Sequence, residues 1–294
     1  MFDRFYPGMS WAEHQAHWPH AQHSRFVQAG GIQWHVQMLG QGPCMLLLHG
    51  TGSGSFSWRG LLPALAQHFT VVAPDLPGHA FSSRGPAGAL SLPGMAEGLR
   101  ALLRQLNLTP QVIVGHSAGA AIAAHMALHF ESTARSTLIG LNPAWLPLPG
   151  VASWLFGPAA KLAALNPLSA WATAKLAAKP GAVADWIART GSTLDARGIA
   201  LYTRVLSDSG HVHGVLSMMA AWQLKPLAAR LHEVRNPVFM LIGAQDQTVP
   251  PALADAACAS LPQARQHLQP GLGHLAHEED PVGSAQDILQ ACRI

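Results

Sequence analysis

The sequence predicts an α/β fold, and two observations carry that prediction. Short runs rich in Val, Ile and Leu alternate along most of the chain with longer segments of helical character. The interior runs are apolar along their whole length, as in CMLLLHG at residues 44–50, which is typical of parallel strands covered on both faces. We therefore expect a mostly parallel sheet with helices on both sides.

The elements follow each other in a regular order. RFVQAGGIQWHVQ predicts a hairpin that turns at Gly30 and Gly31, because glycine accepts the positive φ of tight turns. Further strands are predicted at residues 44–50, 69–75, 111–117, 136–142, 237–243 and 264–270. Helices are predicted at residues 58–67, 91–106, 118–130, 250–260 and 281–291.

The alternation breaks between about residues 143 and 230, where Pro and Ala abound and no strong strand pattern occurs. A segment of this length is too long for a plain loop between two strands. We expect a helical cap at residues 143–230, inserted into a core formed by residues 1–142 and 231–294. The segment contains tryptophans that favour either a small core of its own or the roof of an apolar pocket: Trp145, Trp154, Trp171, Trp186 and Trp222.

Charge and cysteine usage exclude several classes of partner. The 18 Lys and Arg residues against 15 Asp and Glu give a net charge of +3, and no run of basic residues could follow a phosphate backbone. Nucleic acid is not an expected partner. Cys44, Cys258 and Cys292 are widely spaced and form no CxxC pair, which indicates neither a disulfide framework nor a cysteine metal site. We expect a reducing cytoplasm.

No targeting or membrane-spanning segment is expected. Charged residues are scattered through residues 1–30, unlike a secretory signal. Residues 136–160 carry no Asp, Glu, Lys or Arg, but closely spaced prolines prevent the single continuous helix of a bilayer crossing.

The motif GHSAG at residues 115–119 matches the pattern G-x-S-x-G and lies between an apolar strand and an Ala-rich helix. A serine on such a tight strand-to-helix turn presents its hydroxyl above the sheet edge, and the flanking glycines remove side chains that would clash there. The start of the following helix also stabilises developing negative charge. We interpret Ser117 as a nucleophile.

A serine hydroxyl needs a base to take its proton, and the base needs an acid to orient it. Asp246 follows the strand PVFMLIG, and His274 follows the last predicted strand. Carboxyl ends of parallel strands meet at one sheet edge, where these side chains would face Ser117. The motifs therefore predict a triad of Ser117, Asp246 and His274, in that chain order.

Three alternative roles stay open from the residues alone. Asp246 precedes a helical stretch and is also a candidate helix N-cap. His277 competes with His274 for the role of base, but His274 is favoured because it lies beside Gly273. His116 is adjacent to Ser117 and should point away from its hydroxyl, as a packing or supporting residue.

An oxyanion requires backbone N–H donors near the reacting carbonyl. HGTGSGSFSW at residues 49–58 is a glycine-rich turn after the first core strand, so the N–H groups of Thr51 and Ala118 are the candidates, although the glycines could serve only a flexible turn. No G-x-x-x-x-G-K-[ST] motif occurs. The expected lining of the substrate pocket is His49, Gly50, His116, Trp145, Trp154, Met218 and Trp222.

The 17 histidines raise the question of a metal. His125 and His129 are one helical turn apart, and His211 and His213 flank Val212, but no acidic or cysteine ligands accompany either pair. We expect neither a metal site nor a cofactor.

The motifs HGTGSG, PDLPGHAFS, GHSAG, GAQDQTVP and GLGHLAHEE resemble those of the α/β-hydrolase superfamily along nearly the whole chain. One departure is Ala80, where the wider superfamily usually has glycine. The segments WPHAQHSRFVQAGGIQWHVQ, SWRGLLPAL, LPLPG, GSTLD, ALYTRVL and GHVHG resemble the magnesium-chelatase accessory family of bacteriochlorophyll synthesis (BchO type). The resemblance implies a photosynthetic tetrapyrrole pathway near the insertion of Mg²⁺ into protoporphyrin.

A family resemblance does not fix a reaction, and two hypotheses follow. In the first, the protein is a serine hydrolase acting on an ester or related carbonyl of a bulky, apolar or tetrapyrrole substrate. In the second, it is a non-catalytic accessory that binds porphyrin or a magnesium-chelatase subunit. A third, weaker alternative is peripheral membrane contact, because Lys161, Lys175 and Lys179 lie among Leu, Ala and Trp; ordinary solvated helix positions explain these lysines as well.

Overall fold

The structure is a computed structural model that describes residues 8–147, 166–261 and 263–292. Eight strands form one sheet in the order β1-β2-β4-β3-β5-β6-β7-β8. The strands are β1 Ser24–Ala29, β2 Ile32–Leu39, β3 Cys44–Leu48, β4 Thr70–Pro74, β5 Pro110–His116, β6 Thr137–Leu141, β7 Val238–Gly243 and β8 Ala264–Gln269. The pairs β1–β2 and β2–β4 are antiparallel and all other pairs are parallel. The predicted α/β class with a mostly parallel sheet is confirmed.

Helices cover both faces of this sheet. Within the described ranges they are α1 Trp11–His14, α2 Leu62–Leu65, α3 Leu92–Gln105, α4 Ala118–His129, α5 Pro167–Ala177, α6 Ala182–Ala188, α7 Ala196–Leu206, α8 Ser209–Ala221, α9 Lys225–Ala228, α10 Pro251–Ser260, α11 Ala276–Glu279 and α12 Pro281–Ala291. None of them is long and apolar enough to cross a bilayer.

The central strands are buried because their side chains alternate between two apolar layers. On β3, Leu46 and Leu48 pack into the layer that contains residues of α3 and α4. Met45 and Leu47 point the other way, into the layer that contains residues of α2 and α12. This period of two is the geometry of a strand, and all five β3 residues are buried as a result.

The predicted hairpin forms β1 and β2, and Gly30 and Gly31 make its turn with φ of 60° and 75°. The helix predicted at residues 58–67 differs, because the structure has a 3-10 turn at Ser55–Trp58 and then only α2, at Leu62–Leu65. Pro63 lies in the first turn of α2, where its missing N–H costs no helical bond, but a regular helix that began at residue 58 could not continue through it.

The helices α5–α9 lie between β6 and β7 along the chain, so a helical insertion separates two strands that pair in the sheet, as the sequence indicated. We call the described residues of this segment, 166–230, the helical insertion. The division of the chain into a core and a cap with boundaries at 143 and 230 stays a prediction. Outside the described ranges lie Trp154, Lys161 and the last three residues of the LPLPG motif.

Candidate active site

Ser117 lies between β5 and α4 with φ of 51° and ψ of −115°. A non-glycine residue rarely adopts this conformation, and the surrounding structure has to hold it in place. Its N–H donates to the carbonyl of Leu141 on β6 at 3.0 Å, and its carbonyl accepts from Ala120 and Ala144. These bonds fix the turn on which the side chain stands.

The two glycines of GHSAG are required by close contacts. A Cβ on Gly115 would overlap the backbone of Ala120, and a Cβ on Gly119 would overlap the carbonyl of Leu48 on β3. The helix therefore starts in direct contact with the neighbouring strand. This is the physical reason for the glycine spacing in the motif.

Asp246 and His274 form a buried hydrogen-bonded pair. His274 Nδ1 lies 2.7 Å from Asp246 Oδ2, and the two residues are 6% and 5% exposed. With Nδ1–H donated to the carboxylate, the neutral imidazole has an unprotonated Nε2 that can act as a base. The structure thus joins two of the three predicted triad residues.

Both oxygens of Asp246 accept hydrogen bonds, but Asp246 is not the N-cap of the helix that follows it. Oδ1 accepts from the N–H groups of Thr248 and Val249, so the carboxylate does order its own turn. Helix α10 begins later, at Pro251, and its N-cap residue is Pro250. The turn bonds leave Oδ2 directed at His274.

Asn142 is a supporting residue that the sequence analysis missed. It follows β6, has φ of 45°, and its Nδ2 donates to Asp246 Oδ2 at 2.7 Å. A polar residue at the carboxyl end of the neighbouring strand was the available signal. Asn142 and His274 together fix the orientation of the carboxylate.

His116 bonds the nucleophile turn, residues 115–119, to the histidine loop, residues 270–275 after β8. Its Nε2 donates to the backbone carbonyl of His274 at 2.9 Å, and the two rings are 4.8 Å apart. Burial, and secondarily the nearby His277, hold the pKa of His116 well below its usual value. A neutral His116 is thus a supporting residue beside Ser117.

His277 lies behind this site. Its ring packs against Trp58 and against His116, at 4.9 Å and 4.5 Å between ring centroids. Burial, and then the Arg59 charge, lower its pKa to about 3. It makes no hydrogen bond to Asp246 in the described part of the chain. The geometry therefore favours His274 as the base that Asp246 orients.

The loop after β3 lies directly against the nucleophile turn. A Cβ on Gly50 would come within 2.8 Å of His116 Nδ1 and 3.2 Å of Ser117 Cβ. Among the described residues, neither Thr51 N–H nor Ala118 N–H has an intramolecular acceptor. Two unused donors on adjacent turns are what an oxyanion site needs.

The predicted pocket residues occupy different environments. Both nitrogens of buried His49 are used, since Nδ1 donates to Gly50 O and Nε2 accepts from Leu76 N–H. Trp145 and Trp222 are buried in the main core, and Trp145 Nε1 donates to Ala120 O. Met218 is buried too, with its sulfur 3.9 Å from Thr51 Oγ1. The role of these residues as pocket lining stays a prediction.

The helical insertion joins the acid loop, residues 244–250 after β7, to the histidine loop. Thr190 O accepts from the N–H groups of both Gln247 and His274, at 3.1 and 3.3 Å. Ser192 Oγ accepts from Leu275 N–H at 2.8 Å. Between them, Gly191 has φ of 82°, and a Cβ on it would overlap the carbonyl of Gln245. The turn at residues 190–192 therefore sets the spacing of the Asp246–His274 pair.

A buried polar cluster joins the insertion to the loop after β3. Tyr202 on α7 donates to Glu278 Oε1 at 2.7 Å and contacts Ser53 Oγ at 3.1 Å. Glu278 is also paired with Arg59. Burial raises the pKa of Glu278 to about 7, against the opposing effect of the Arg59 charge. We call Ser53, Arg59, Tyr202 and Glu278 the tyrosine cluster; the sequence analysis assigned none of them.

Helix α8 makes a second polar connection. His211 Nδ1 accepts from Ala80 N–H at 2.9 Å, and Nε2 donates to Gly52 O at 3.3 Å. Burial lowers the pKa of His211 to about 4, so both bonds use the neutral ring. The segments GSTLD and GHVHG therefore contact the loops that hold the candidate site.

Another buried pair supports the turn at residues 75–82. Asp75 Oδ2 lies 2.7 Å from His35 Nδ1, and Oδ1 accepts from Ser55 N–H at 2.6 Å. Burial raises the pKa of Asp75, but the His35 charge and its hydrogen bond outweigh burial and bring it to about 2. No group of three or more His, Cys, Asp or Glu among the described residues is arranged to hold a metal ion.

The alpha/beta hydrolase fold family matches residues 43–281. The chain belongs to this family. The match spans the loop after β3, the nucleophile turn, the acid loop and the histidine loop, so the predicted family resemblance is confirmed on the segments that form the candidate site.

Two relatives of this hydrolase-fold protein are similar over most of its length. The "Magnesium-chelatase 30 kDa subunit" of Rhodobacter capsulatus is 37% identical over 276 residues, covering 93% of this chain and 96% of that protein. The "Pimeloyl-[acyl-carrier protein] methyl ester esterase" of Aromatoleum aromaticum is 30% identical over 262 residues, covering 84% of this chain and 98% of that protein. The first confirms the resemblance to the chelatase-associated family.

A solved structure agrees with the fold. The alpha/beta hydrolase fold protein from Burkholderia ambifaria aligns with a TM-score of 0.74 and 23% identity, covering 90% of this chain and 97% of that chain. At this identity the likeness supports the architecture of the hydrolase fold alone.

Proposed function

We propose that the protein is a serine hydrolase that cleaves an ester or related carbonyl compound with the triad Ser117, His274 and Asp246. The observation that carries the proposal is the buried Asp246–His274 pair, bonded through His116 to the turn that bears Ser117. The strained backbone of Ser117 supports its role as nucleophile, because such strain is retained where function requires it.

The proposed reaction has two steps. Ser117 Oγ attacks the carbonyl carbon while His274 Nε2 takes the hydroxyl proton, and the N–H groups of Thr51 and Ala118 bind the oxyanion. The imidazolium then gives its proton to the departing alcohol, which leaves an acyl-serine ester. Water, deprotonated by His274, attacks that ester and releases the acid and free Ser117.

We propose a bulky apolar substrate of the tetrapyrrole pathway, close to magnesium chelation. The 37% identical chelatase subunit supports that pathway, and the methyl ester esterase supports an ester as the reacting group. Met218 beside Thr51 supports an apolar site. The cap boundaries at 143 and 230 and the cytoplasmic location belong to the same proposal and rest on the sequence.

A fluorescent fluorophosphonate, which modifies activated serines, tests the triad. We expect the native protein to be labelled and Ser117→Ala to stay unlabelled, with turnover of a reactive ester reduced about 10⁶-fold. Ser132→Ala is the matched control, because Ser132 is exposed and precedes β6, at the opposite end of that strand from Asn142, and it should be labelled like the native protein. A folded native protein that reacts no faster than Ser117→Ala would contradict the proposal.

A second candidate is a non-catalytic accessory that binds porphyrin or a chelatase subunit, and the name of the 37% identical relative favours it. Tryptophan fluorescence during addition of protoporphyrin distinguishes the two functions. Quenching that saturates in a native protein inert to the fluorophosphonate would favour the accessory. Labelling of Ser117, followed by turnover of a porphyrin methyl ester, would favour the hydrolase.

A further inference from the structure

Helix α5 of the insertion turns its large apolar side chains outward. Leu168, Trp171 and Leu176 are 68%, 55% and 45% exposed. Among the side chains of this helix that the structure describes, the buried ones are all alanines: Ala170, Ala174 and Ala177. A surface helix of a globular protein has the opposite arrangement, with large apolar residues facing the core.

The inner face explains why small residues are needed there. Ala170 and Ala174 pack with Val212 and Leu216 of α8. Small side chains allow two helices to approach closely, so packing of the insertion accounts for the alanines. It does not account for the outward Leu and Trp side chains, because the exposure of large apolar side chains to water is unfavourable. A contiguous exposed apolar face of this kind marks an interaction surface.

The charges on α5 and along the chain on either side of it are of one sign. The sequence has no Asp or Glu between Glu131 and Asp185. Lys175 lies on the outer face of α5 with its Nζ 6.0 Å from the centre of the Trp171 ring, and Lys179 follows just after the helix; both lysines are exposed. The outer face of α5 is therefore apolar and basic together.

We propose that α5 docks on the surface of an anionic lipid bilayer. Leu168, Trp171 and Leu176 enter the boundary between headgroups and acyl chains, where tryptophan is favoured because its ring is apolar and its N–H is polar. Lys175 and Lys179 extend from this level to the lipid phosphates. The site is a peripheral one, because α5 has 11 residues and lies along the surface.

Flotation of the full chain with vesicles tests the proposal. We expect recovery with vesicles of phosphatidylcholine and phosphatidylglycerol, and little recovery with phosphatidylcholine alone. Added salt should reduce the bound fraction, because it screens the attraction of the lysines. The double variants Leu168→Ala/Trp171→Ala and Lys175→Gln/Lys179→Gln should each weaken binding about tenfold or more.

A matched control separates this face from exposed apolar residues in general. Leu268 on β8 is 52% exposed, and Leu268→Ala should float like the native protein. The substituted side chains are exposed, so the variants should keep the native circular dichroism and melting temperature. Equal flotation of the native protein and both double variants would overturn the proposal, as would the absence of flotation with anionic vesicles.

Sedimentation velocity distinguishes a second occupant of the same face. A native protein that forms dimers, loses them in Leu168→Ala/Trp171→Ala and ignores vesicles would assign the face to a second copy of the chain. That result would also overturn lipid docking. None of these measurements depends on hydrolysis.

Discussion

Individual residues of this hydrolase fold hold unfavourable backbone conformations where loops meet. Ser117 has φ of 51° and Ala80 has φ of 41°, and the second stands where the superfamily usually has glycine. Ala80 N–H is bonded to His211, and the residue is buried. The cost of a positive φ at alanine is about 1 kcal/mol, which the surrounding bonds must offset.

Two substitutions at Ala80 test this account. Ala80→Gly removes the strain, but it also removes a buried methyl group and increases the entropy of the unfolded chain, each worth roughly 1 kcal/mol. We expect its stability to lie within about 1 kcal/mol of the native value. Ala80→Val should lose about 3 kcal/mol, because a β-branched side chain is strongly disfavoured at positive φ. Urea denaturation measures both, and a fully stable Ala80→Val would contradict the strained conformation.

At the scale of elements, the helical insertion does more than cover the sheet. Its turn at residues 190–192 bonds to both the acid loop and the histidine loop, and α7 and α8 bond to the loop after β3. The alignment of the candidate triad therefore depends on residues far from the triad in sequence. Substitutions in this turn should affect reactivity without touching a triad side chain.

A pair of glycines with nearly equal φ isolates that dependence. Gly191 and Gly181 have φ of 82° and 80°, but a Cβ on Gly191 would overlap Gln245 O, whereas a Cβ on Gly181 meets nothing within 4 Å. Gly181→Ala should lower the free energy of unfolding by only about 1 kcal/mol, the strain of alanine at positive φ. Gly191→Ala should lower the free energy of unfolding by about 3 kcal/mol or more, because the Gln245 backbone must also move.

The rate at which the fluorophosphonate labels Ser117 is the functional measurement for these two glycine variants. The displaced acid loop should slow labelling of Ser117 in Gly191→Ala at least about tenfold, while Gly181→Ala should keep the native rate. Equal labelling rates and equal stabilities in the two variants would show that the turn at residues 190–192 does not position the triad. Such a result would leave the assignment of Ser117 itself intact.

For the whole molecule, the sequence was most informative where local chemistry determines structure. The apolar run of β3 and the glycines of the nucleophile turn predict their elements because burial on two faces and close backbone contact leave few other solutions. The positions of Ser117, Asp246 and His274 after parallel strands predicted a shared sheet edge, and the structure bonds the last two.

Long-range contacts of the insertion were beyond sequence analysis. Glu278 belongs to a short acidic helix start that looks solvated, yet Tyr202, 76 positions away, and Arg59 enclose it in the tyrosine cluster. No periodicity indicates that pairing. Trp171 is the reverse case, since it was expected in the insertion's own core or in a pocket roof, and the structure exposes it. Both outcomes depend on how the insertion packs, which local patterns do not specify.

The tyrosine cluster gives the whole molecule a dependence on pH. The pKa of Glu278 is raised from an ordinary value near 4.5 to about 7 in the folded protein, so between these values the folded state holds a proton that the unfolded state has released. Its contribution to stability is complete below pH 4.5 and is lost as the pH rises through 7, by about 3 kcal/mol. His277 acts in the opposite direction, because its lowered pKa favours the folded state as the pH rises from about 3 to 6.5.

Comparison of the native protein with Glu278→Gln isolates the carboxyl group, because His277 is present in both. The free energy of unfolding of the native protein, measured in urea and taken relative to Glu278→Gln, should decrease between pH 4.5 and 7. Glu97→Gln is the surface control, since Glu97 is exposed beside Arg100, and it should change the free energy of unfolding by less than about 1 kcal/mol. A flat difference for Glu278→Gln would mean that Glu278 is ionised throughout the range. The effect of the Arg59 charge on the pKa of Glu278 would then outweigh that of burial. Tyr202 would donate to a carboxylate that is charged over the whole range, rather than to one that becomes charged near neutral pH.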